Sequence, residues 1–156
     1  FADGGVSVSL ARLGTTCPAT TSTYGAGCSG PGGVNTLVAS TLPWIDSTFE
    51  ALGTGLPTTA VVIAVTSVAS VPQGLVPLTV GFPTALPGCD LLVGPELLSA
   101  LVTTTGSVRS QLLLPNAPQL VGATLFHQLI PIEIGAGGAW TSVVATNALQ
   151  LTLGIF

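Results

Sequence analysis

Glycine and proline divide this chain into short segments, and their spacing constrains the fold more than any other feature of the sequence. Twenty glycines and twelve prolines are spread over 156 residues, and the segments between them are rich in Val, Leu, Ile and Thr. Short segments of this composition, often alternating and separated by a turn signal about every ten residues, are typical of a β-sandwich or barrel. The sequence therefore predicts an all-β protein, an antiparallel two-sheet β-sandwich of Ig-like or jelly-roll-like type.

Ten segments carry the strand pattern. The predicted strands are residues 5–13, 34–40, 59–69, 75–80, 90–93, 100–104, 107–114, 121–129, 140–144 and 148–153. A helix is the alternative for residues 95–102, because a proline suits a first helical turn and Glu96 would complement the helix dipole.

The length fits one domain, but the composition changes along the chain. Residues 15–33 consist largely of Thr, Ser, Gly and Pro, a composition that predicts a loop or linker. The chain therefore divides into an N-terminal arm, residues 1–23, and a β-sandwich domain, residues 24–156. The arm combines a candidate donor strand, residues 5–13, with the Thr-rich linker.

Charge is scarce and excludes several partners. Charged residues make up 5% of the chain and the formal net charge is -4, whereas about a quarter of an ordinary domain is charged. Two arginines and no lysine cannot neutralise a run of phosphates, so nucleic acid is excluded as a partner. The most apolar stretch, residues 59–71, is too short for a helical membrane span of about twenty residues. The protein is not expected to be membrane-embedded.

Cysteine usage and the first residue indicate the compartment. The chain has three cysteines and no methionine, and it starts at Phe1, which predicts that its amino terminus is a processing product. One disulfide and one remaining thiol in an oxidising environment are the simplest outcome. The predicted location is secreted, extracellular or at the cell surface.

Several short motifs occur in a fixed order along most of the chain. They are YGAGC at 24–28, LPWIDSTF at 42–49, GCDLLVGP at 88–95, LPN at 114–116, LVG at 120–122, FHQ at 126–128 and TNALQLTLG at 146–154. Together they resemble an uncharacterised β-rich domain found at the carboxyl end of secreted bacterial proteins, with a YGxGC start, a GCxLLVxP centre and a SNALxLTxG finish. The resemblance covers residues 24–154 and implies a fold and a compartment, but no activity.

The same resemblance implies a disulfide between Cys28 and Cys89, the cysteines of its first and central motifs. Cys17 departs from the pattern. A bond between Cys17 and Cys28, closing a small Thr-rich loop, is the alternative.

The residues that could carry chemistry are few. GAGCSG at 25–30 matches G-x-G-x-x-G, but Pro31 and two glycines follow where a phosphate-binding helix would have to begin. His127, the single histidine, lies within an alternating apolar run and is interpreted as a packed or edge residue. The near carboxylate pairs, Asp46 with Glu50 and Asp90 with Glu96, have no aromatic cluster beside them for a sugar and no calcium-loop motif. We therefore expect a protein that is not an enzyme and that has no catalytic residue, cofactor or metal.

A hydroxyl-rich tract precedes the first motif. It is a candidate for O-linked sugars, which would help to solubilise a chain so poor in charge; an unmodified linker is the alternative. The candidate positions are Thr15, Thr16, Thr20, Thr21, Ser22 and Thr23.

The arm has the pattern of a strand that enters a core on one face. Val6, Val8 and Leu10 alternate with Ser and Ala, and burial of each apolar side chain would contribute about 1.5 to 3 kcal/mol. Such a strand pairs within its own sandwich, is donated to a neighbouring molecule, or makes another contact in a lattice of molecules.

The predicted function follows from this arm. It is that of a structural subunit of an extracellular filament or surface layer, a head-to-tail homo-oligomer built by donor-strand exchange through Val6, Val8 and Leu10. The alternative is a secreted, non-catalytic binding module for extracellular or cell-wall polysaccharide, with glycans as partners.

Overall fold

The computed structural model describes residues 17–155, which form two packed antiparallel sheets. The strands are β1 (Thr20–Tyr24), β2 (Ser29–Gly30), β3 (Gly33–Val34), β4 (Thr36–Ala39), β5 (Ser47–Thr54), β6 (Ala60–Ser67), β7 (Leu97–Thr103), β8 (Val108–Leu114), β9 (Thr124–Ile134), β10 (Trp140–Val143) and β11 (Ala148–Thr152). Short 3₁₀ turns span Leu78–Val80, Pro118–Leu120 and Ala136–Gly138. The predicted all-β, antiparallel fold is confirmed.

The larger sheet has six strands and the smaller has three. Their orders are β1-β11-β9-β6-β7, with β10 also paired to β9, and β4-β5-β8. The eleven-residue β9 pairs through its first half with β11 and through its second half with β10, while β6 lies along its other side. Strands β2 and β3 form a separate hairpin around the predicted turn at Pro31.

Alternation along β6 shows how the sheets share a core. Val62 and Ala64 face the smaller sheet and pack with Phe49, Leu129 and other buried side chains. Val65 points to the opposite face of the larger sheet, where a second buried cluster lies. The larger sheet is therefore covered on both faces at β6, which explains why this strand is apolar from Ala60 to Val65 instead of alternating with polar residues.

The second cluster is closed by a long irregular segment, residues 68–96, that connects β6 to β7. Its buried side chains Leu78, Leu92 and Val93 pack on Ile130 and other residues of the larger sheet. A disulfide between Cys28 and Cys89, with a Cα–Cα distance of 5.0 Å, ties this segment to the chain just before β2. This is the pairing that the resemblance implied, whereas Cys17 is a free, exposed thiol.

Two buried amide side chains join elements that no strand ladder connects. The Asn147 side chain accepts from Leu37 N–H at 2.8 Å and donates to Leu37 C=O at 3.0 Å, linking β11 to β4. The Gln128 side chain accepts from Leu92 N–H at 2.9 Å and donates to Asp90 C=O at 3.0 Å. Residues of the FHQ and TNAL motifs thus satisfy buried main-chain groups, as interior polar groups must.

The predicted strand 75–80 is wrong, and the helical alternative for residues 95–102 is not observed, whereas the predicted strand 100–104 overlaps β7. Residues 75–80 form turns instead of a strand, because Pro72 and Pro77 cannot donate to a ladder and their carbonyls accept from Leu75 and Val80 within tight turns. Residues 95–102 are not helical, since residues 97–103 form β7 along β6. The predicted strand 90–93 reduces to isolated bridges.

The loop prediction for residues 15–33 is also wrong for part of its length. Thr20–Tyr24 forms β1, which pairs with β11 over five residues, because hydroxyl-bearing β-branched residues fit an exposed sheet edge as well as a linker. Of the candidate glycosylation positions, Thr20, Ser22 and Thr23 are exposed on this strand and Thr21 is partly buried. Thr15 and Thr16, the strand prediction for 5–13, and Val6, Val8 and Leu10 lie outside the described residues.

The sequence patterns missed β5, the central strand of the smaller sheet. Its inward residues Phe49 and Ala51 are fully buried, but Glu50 and a glycine interrupt the apolar pattern. Gly53 lies close to the opposite sheet, because a Cβ there would lie 2.6 Å from the end of the Leu129 side chain. Such a close approach is one reason for glycine within a strand.

No helix among residues 17–155 has the length and apolar character needed to cross a membrane.

Candidate interaction surface at the β7 edge

Strand β7 is an edge of the larger sheet, yet it is apolar and exposed. Leu97, Leu98 and Val102 are 54%, 57% and 71% exposed. The opposite edge, β1, has the sequence TTSTY and exposes mainly hydroxyl groups. Soluble proteins usually protect edge strands with charge, proline or a covering segment, and β7 carries none of these along its length.

The connection to β8 leaves the outer side of β7 unpaired. After β7 the chain turns through residues 104–107, where Thr103 Oγ1 donates to Ser107 C=O at 2.7 Å, and enters the smaller sheet as β8. Strand β8 pairs with β5, so within residues 17–155 β6 is the one strand paired with β7. A row of main-chain donors and acceptors on β7 is therefore free to bind another strand.

An apolar groove follows β7 on the face that points away from the smaller sheet. It consists of two adjoining hollows of about 530 and 240 Å³ that share Ile63, Phe82 and Leu98. Trp140, 54% exposed, closes one end beside Phe82, with 6.3 Å between the ring centroids. We call this the outer groove. It exists because the irregular segment 68–96 covers the middle of the sheet but stops short of β7.

A second hollow opens on the other side of β7, between the two sheets. This edge cleft has a volume of about 280 Å³ and lies between Leu97 of β7 and Leu112 and Leu114 of β8. Both faces of β7 thus border unfilled apolar space.

Charge near the β7 edge is confined to one carboxylate. Glu96 directly precedes the strand and accepts from Val68 N–H at 3.1 Å. Glu133 is engaged by the hydroxyls of Thr141 and Ser142 at 2.9 and 2.8 Å. The Arg109–Glu50 ion pair, at 2.7 Å, lies on the outer face of the smaller sheet, where hydrogen bonds from Gln111 and Arg109 lower the pKa of Glu50. A partner at β7 would therefore meet an apolar surface with a negative charge at one end.

His127 lies in the core between the sheets, which agrees with its interpretation as a packed residue. It is 2% exposed, and its ring nitrogens contact Thr66 Oγ1 at 2.8 Å and Ser110 Oγ at 2.9 Å. Burial lowers the pKa of His127 to about 4, so the ring is neutral at physiological pH. The arrangement satisfies one donor and one acceptor of a neutral imidazole and links β6, β9 and β8.

The carboxylate pairs singled out from the sequence serve separate local contacts. Asp46 Oδ2 accepts from Asn116 at 3.3 Å, and Glu50 binds Arg109. Asp90 accepts from Gly74 N–H at 3.0 Å, whereas Glu96 accepts from Val68. In the described part of the chain, no three His, Cys, Asp or Glu side chains come together as metal ligands would.

The G-x-G-x-x-G match lies at the disulfide-linked β2–β3 hairpin. A Cβ on Gly27 would overlap the carbonyl oxygen of Asn35, so this glycine permits two main-chain segments to touch. Close packing within the protein therefore accounts for the glycine without a phosphate ligand.

None of the candidate site residues within the described sequence lies on β7; Glu96 directly precedes it. One signal was available: Leu97, Leu98, Leu101 and Val102 are apolar on both faces of the strand. That pattern is typical of a strand covered on both sides. It identifies β7 as an exposed apolar surface only once the strand pairing shows that β7 is an edge strand.

Comparison of the chain with known protein families, with curated proteins and with solved structures finds no match. The role of the β7 surface therefore has to be inferred from its own side chains.

Proposed function

We propose that this protein is a structural subunit that self-assembles outside the cell into a filament or surface layer, each molecule accepting a strand from another at the β7 edge. One observation carries the proposal: β7 is an unpaired edge strand with exposed apolar side chains on both faces. Edge strands of this kind template strand addition.

The composition supports the same proposal. With 5% charged residues, the protein has little electrostatic repulsion to keep molecules apart. The Cys28–Cys89 disulfide fits an oxidising compartment. The resemblance to a β-rich domain of secreted bacterial proteins, which we retain as a proposal, agrees with that location.

The expected architecture is open. A donated strand and its acceptor edge are different surfaces of the molecule, so the contact is head-to-tail and does not have to close into a ring. A linear or helical polymer is its natural product.

A polysaccharide-binding module is the second candidate, and one observation favours it. Trp140 is exposed beside Phe82, and an exposed aromatic ring offers a stacking surface for a sugar. The groove around Trp140 is otherwise lined by aliphatic side chains with Ser99 as the polar exception, which leaves few partners for sugar hydroxyls. Self-assembly accounts for the surface better.

Sizing by gel filtration and negative-stain imaging test the proposal. The full chain should form elongated polymers, whereas a chain lacking residues 1–13 should remain monomeric and be less stable. A monomeric full chain that is retained on a glycan column would support the binding module instead. Native-like filaments formed by the shortened chain would exclude strand donation by the arm.

A further inference from the structure

We infer that the arm of one molecule binds antiparallel to β7 of a second copy, with Val6 opposite Val102, Val8 opposite Ala100, Leu10 opposite Leu98 and Arg12 opposite Glu96. This inference rests on the proposed function and specifies its partner, its site and its register.

The faces of β7 decide which side of the arm points where. Leu98, Ala100 and Val102 pair across the ladder with Val65, Ile63 and Val61. They therefore share the face of β7 on which Leu98 and Ala100 line the outer groove. The other face carries Ser99 and Thr103 together with two leucines.

The sequence of the arm predicts a matching pair of faces. In an extended strand, Val6, Val8 and Leu10 would share one face, with serines between them in the sequence. Because cross-strand neighbours on one face are the contacting pairs of a sheet, the apolar face of the arm belongs with Leu98, Ala100 and Val102.

Charge decides the direction. Arg12 follows Leu10 on the same face of the arm. In the antiparallel register it lies opposite Glu96, the exposed residue directly before β7, whose carboxylate accepts from Val68 N–H. In a parallel register with Val8 still opposite Ala100, Arg12 would instead lie opposite Thr104, where it would have no carboxylate as a partner. Opposite charges on neighbouring strands stabilise the pairing.

The proposed function assigns the donor to a second copy. Cys17 lies beside Ile155, whose N–H donates to its carbonyl at 3.0 Å. Leu153, two residues before Ile155, lines the edge cleft together with Glu96 and Leu97. Cross-linking separates donation between molecules from pairing within one molecule, because only donation links different chains.

Cysteine cross-linking of the full chain tests the register. In a Cys17→Ser background, Val6→Cys is combined with Val102→Cys, with Leu98→Cys, or with Ser22→Cys on the opposite edge β1. Directly opposite residues on paired strands meet the Cα separation that a disulfide needs. Under mild oxidation, the Val6–Val102 combination should give a ladder of disulfide-linked oligomers on a non-reducing gel, and peptide mapping should identify the bond.

The other two combinations should lack that ladder. A ladder from Val6–Leu98 would overturn the antiparallel register, and one from Val6–Ser22 would overturn the β7 site while leaving self-assembly intact. A Val6–Val102 bond confined to monomers would overturn donation between molecules. Polymers without a bond in any combination would refute the assigned site, whereas a Cys17→Ser parent that never polymerises would refute the proposed function itself.

Discussion

His127 is the one ionisable side chain that the described structure buries between the two sheets, and its neutral form is part of the fold. Thr66 and Ser110 occupy both ring nitrogens, and burial lowers the pKa to about 4 from an ordinary value of 6.5. An unfolded chain takes up a proton below its ordinary pKa, whereas the folded chain does not until the pH approaches 4. Stability is therefore lost as the pH falls from about 6.5 toward 4.

We expect the protein to be about 2 kcal/mol less stable at pH 5 than at pH 7 because of this one group. Urea unfolding at the two pH values measures the difference. His127→Gln, which cannot gain a charge, should remove most of that difference even if the variant is less stable at both pH values. An unchanged pH dependence in the variant would contradict the role assigned to His127.

The proposed contact between Arg12 and Glu96 predicts a charge-swap result. Arg12→Glu should weaken each contact by about 1 kcal/mol and raise the critical concentration for assembly roughly fivefold. Adding Glu96→Arg should restore assembly, because the opposite charges then meet again. Sedimentation of unassembled protein measures both effects.

Arg109→Glu supplies the matched control for the charge swap. Its arginine pairs with Glu50 on the outer face of the smaller sheet, away from β7, so the same change of charge should leave the critical concentration unaltered. If Arg109→Glu weakens assembly as much as Arg12→Glu does, the effect reflects net charge rather than the register.

At the scale of elements, the irregular segment 68–96 depends on the disulfide for its position. It packs on the sheet through side chains such as Leu78 and Leu92, but it joins neighbouring elements by isolated bridges and turns instead of a continuous ladder. The cystine closes a chain separation of 61 residues, and the chain-entropy account gives such a cross-link about 4 kcal/mol of stability.

Cys28→Ala combined with Cys89→Ala should therefore lower the free energy of unfolding by about 4 kcal/mol. Urea denaturation without reductant measures the loss, and Cys17→Ser, which removes the exposed free thiol, should leave stability unchanged. A loss below about 1 kcal/mol for the double variant would mean that apolar packing alone holds the segment.

The elements also show where sequence patterns succeed. Strands β6 and β11 are predictable because apolar and β-branched residues make up most of each, and β8 because clear turn signals at Gly106 and Pro115 bound it. β5 is not predictable in this way, because Gly53 interrupts its apolar pattern. The side chain that approaches this glycine, Leu129 of the opposite sheet, lies far away in sequence. For the segment around Leu78 the sequence predicts a strand that the structure lacks. Its composition suits a strand, but its prolines form tight turns, and the disulfide fixes the segment at Cys89.

At the scale of the whole molecule, the two edges of the larger sheet differ in kind. One ends in the hydroxyl-rich β1 and the other in the apolar β7. The apolar face of the arm could be recognised in the sequence, but its acceptor could not, because β7 becomes an edge only through the path of β8 into the other sheet. An exposed apolar edge strand promotes aggregation of a monomer, whereas in a polymer it can form the contact between subunits.

The most direct measurement uses a full-length Val8→Asp variant as the acceptor. A carboxylate on the apolar face of the arm should prevent donation, which leaves a monomer with a free β7 edge. A synthetic peptide of residues 1–13 is then titrated into this variant, and amide hydrogen exchange is followed along the chain. We expect one peptide bound per molecule, with new protection along β7. The same peptide with Val8→Asp should give no protection. Absence of binding by the unmodified peptide, or protection at β1 instead of β7, would refute strand donation to β7.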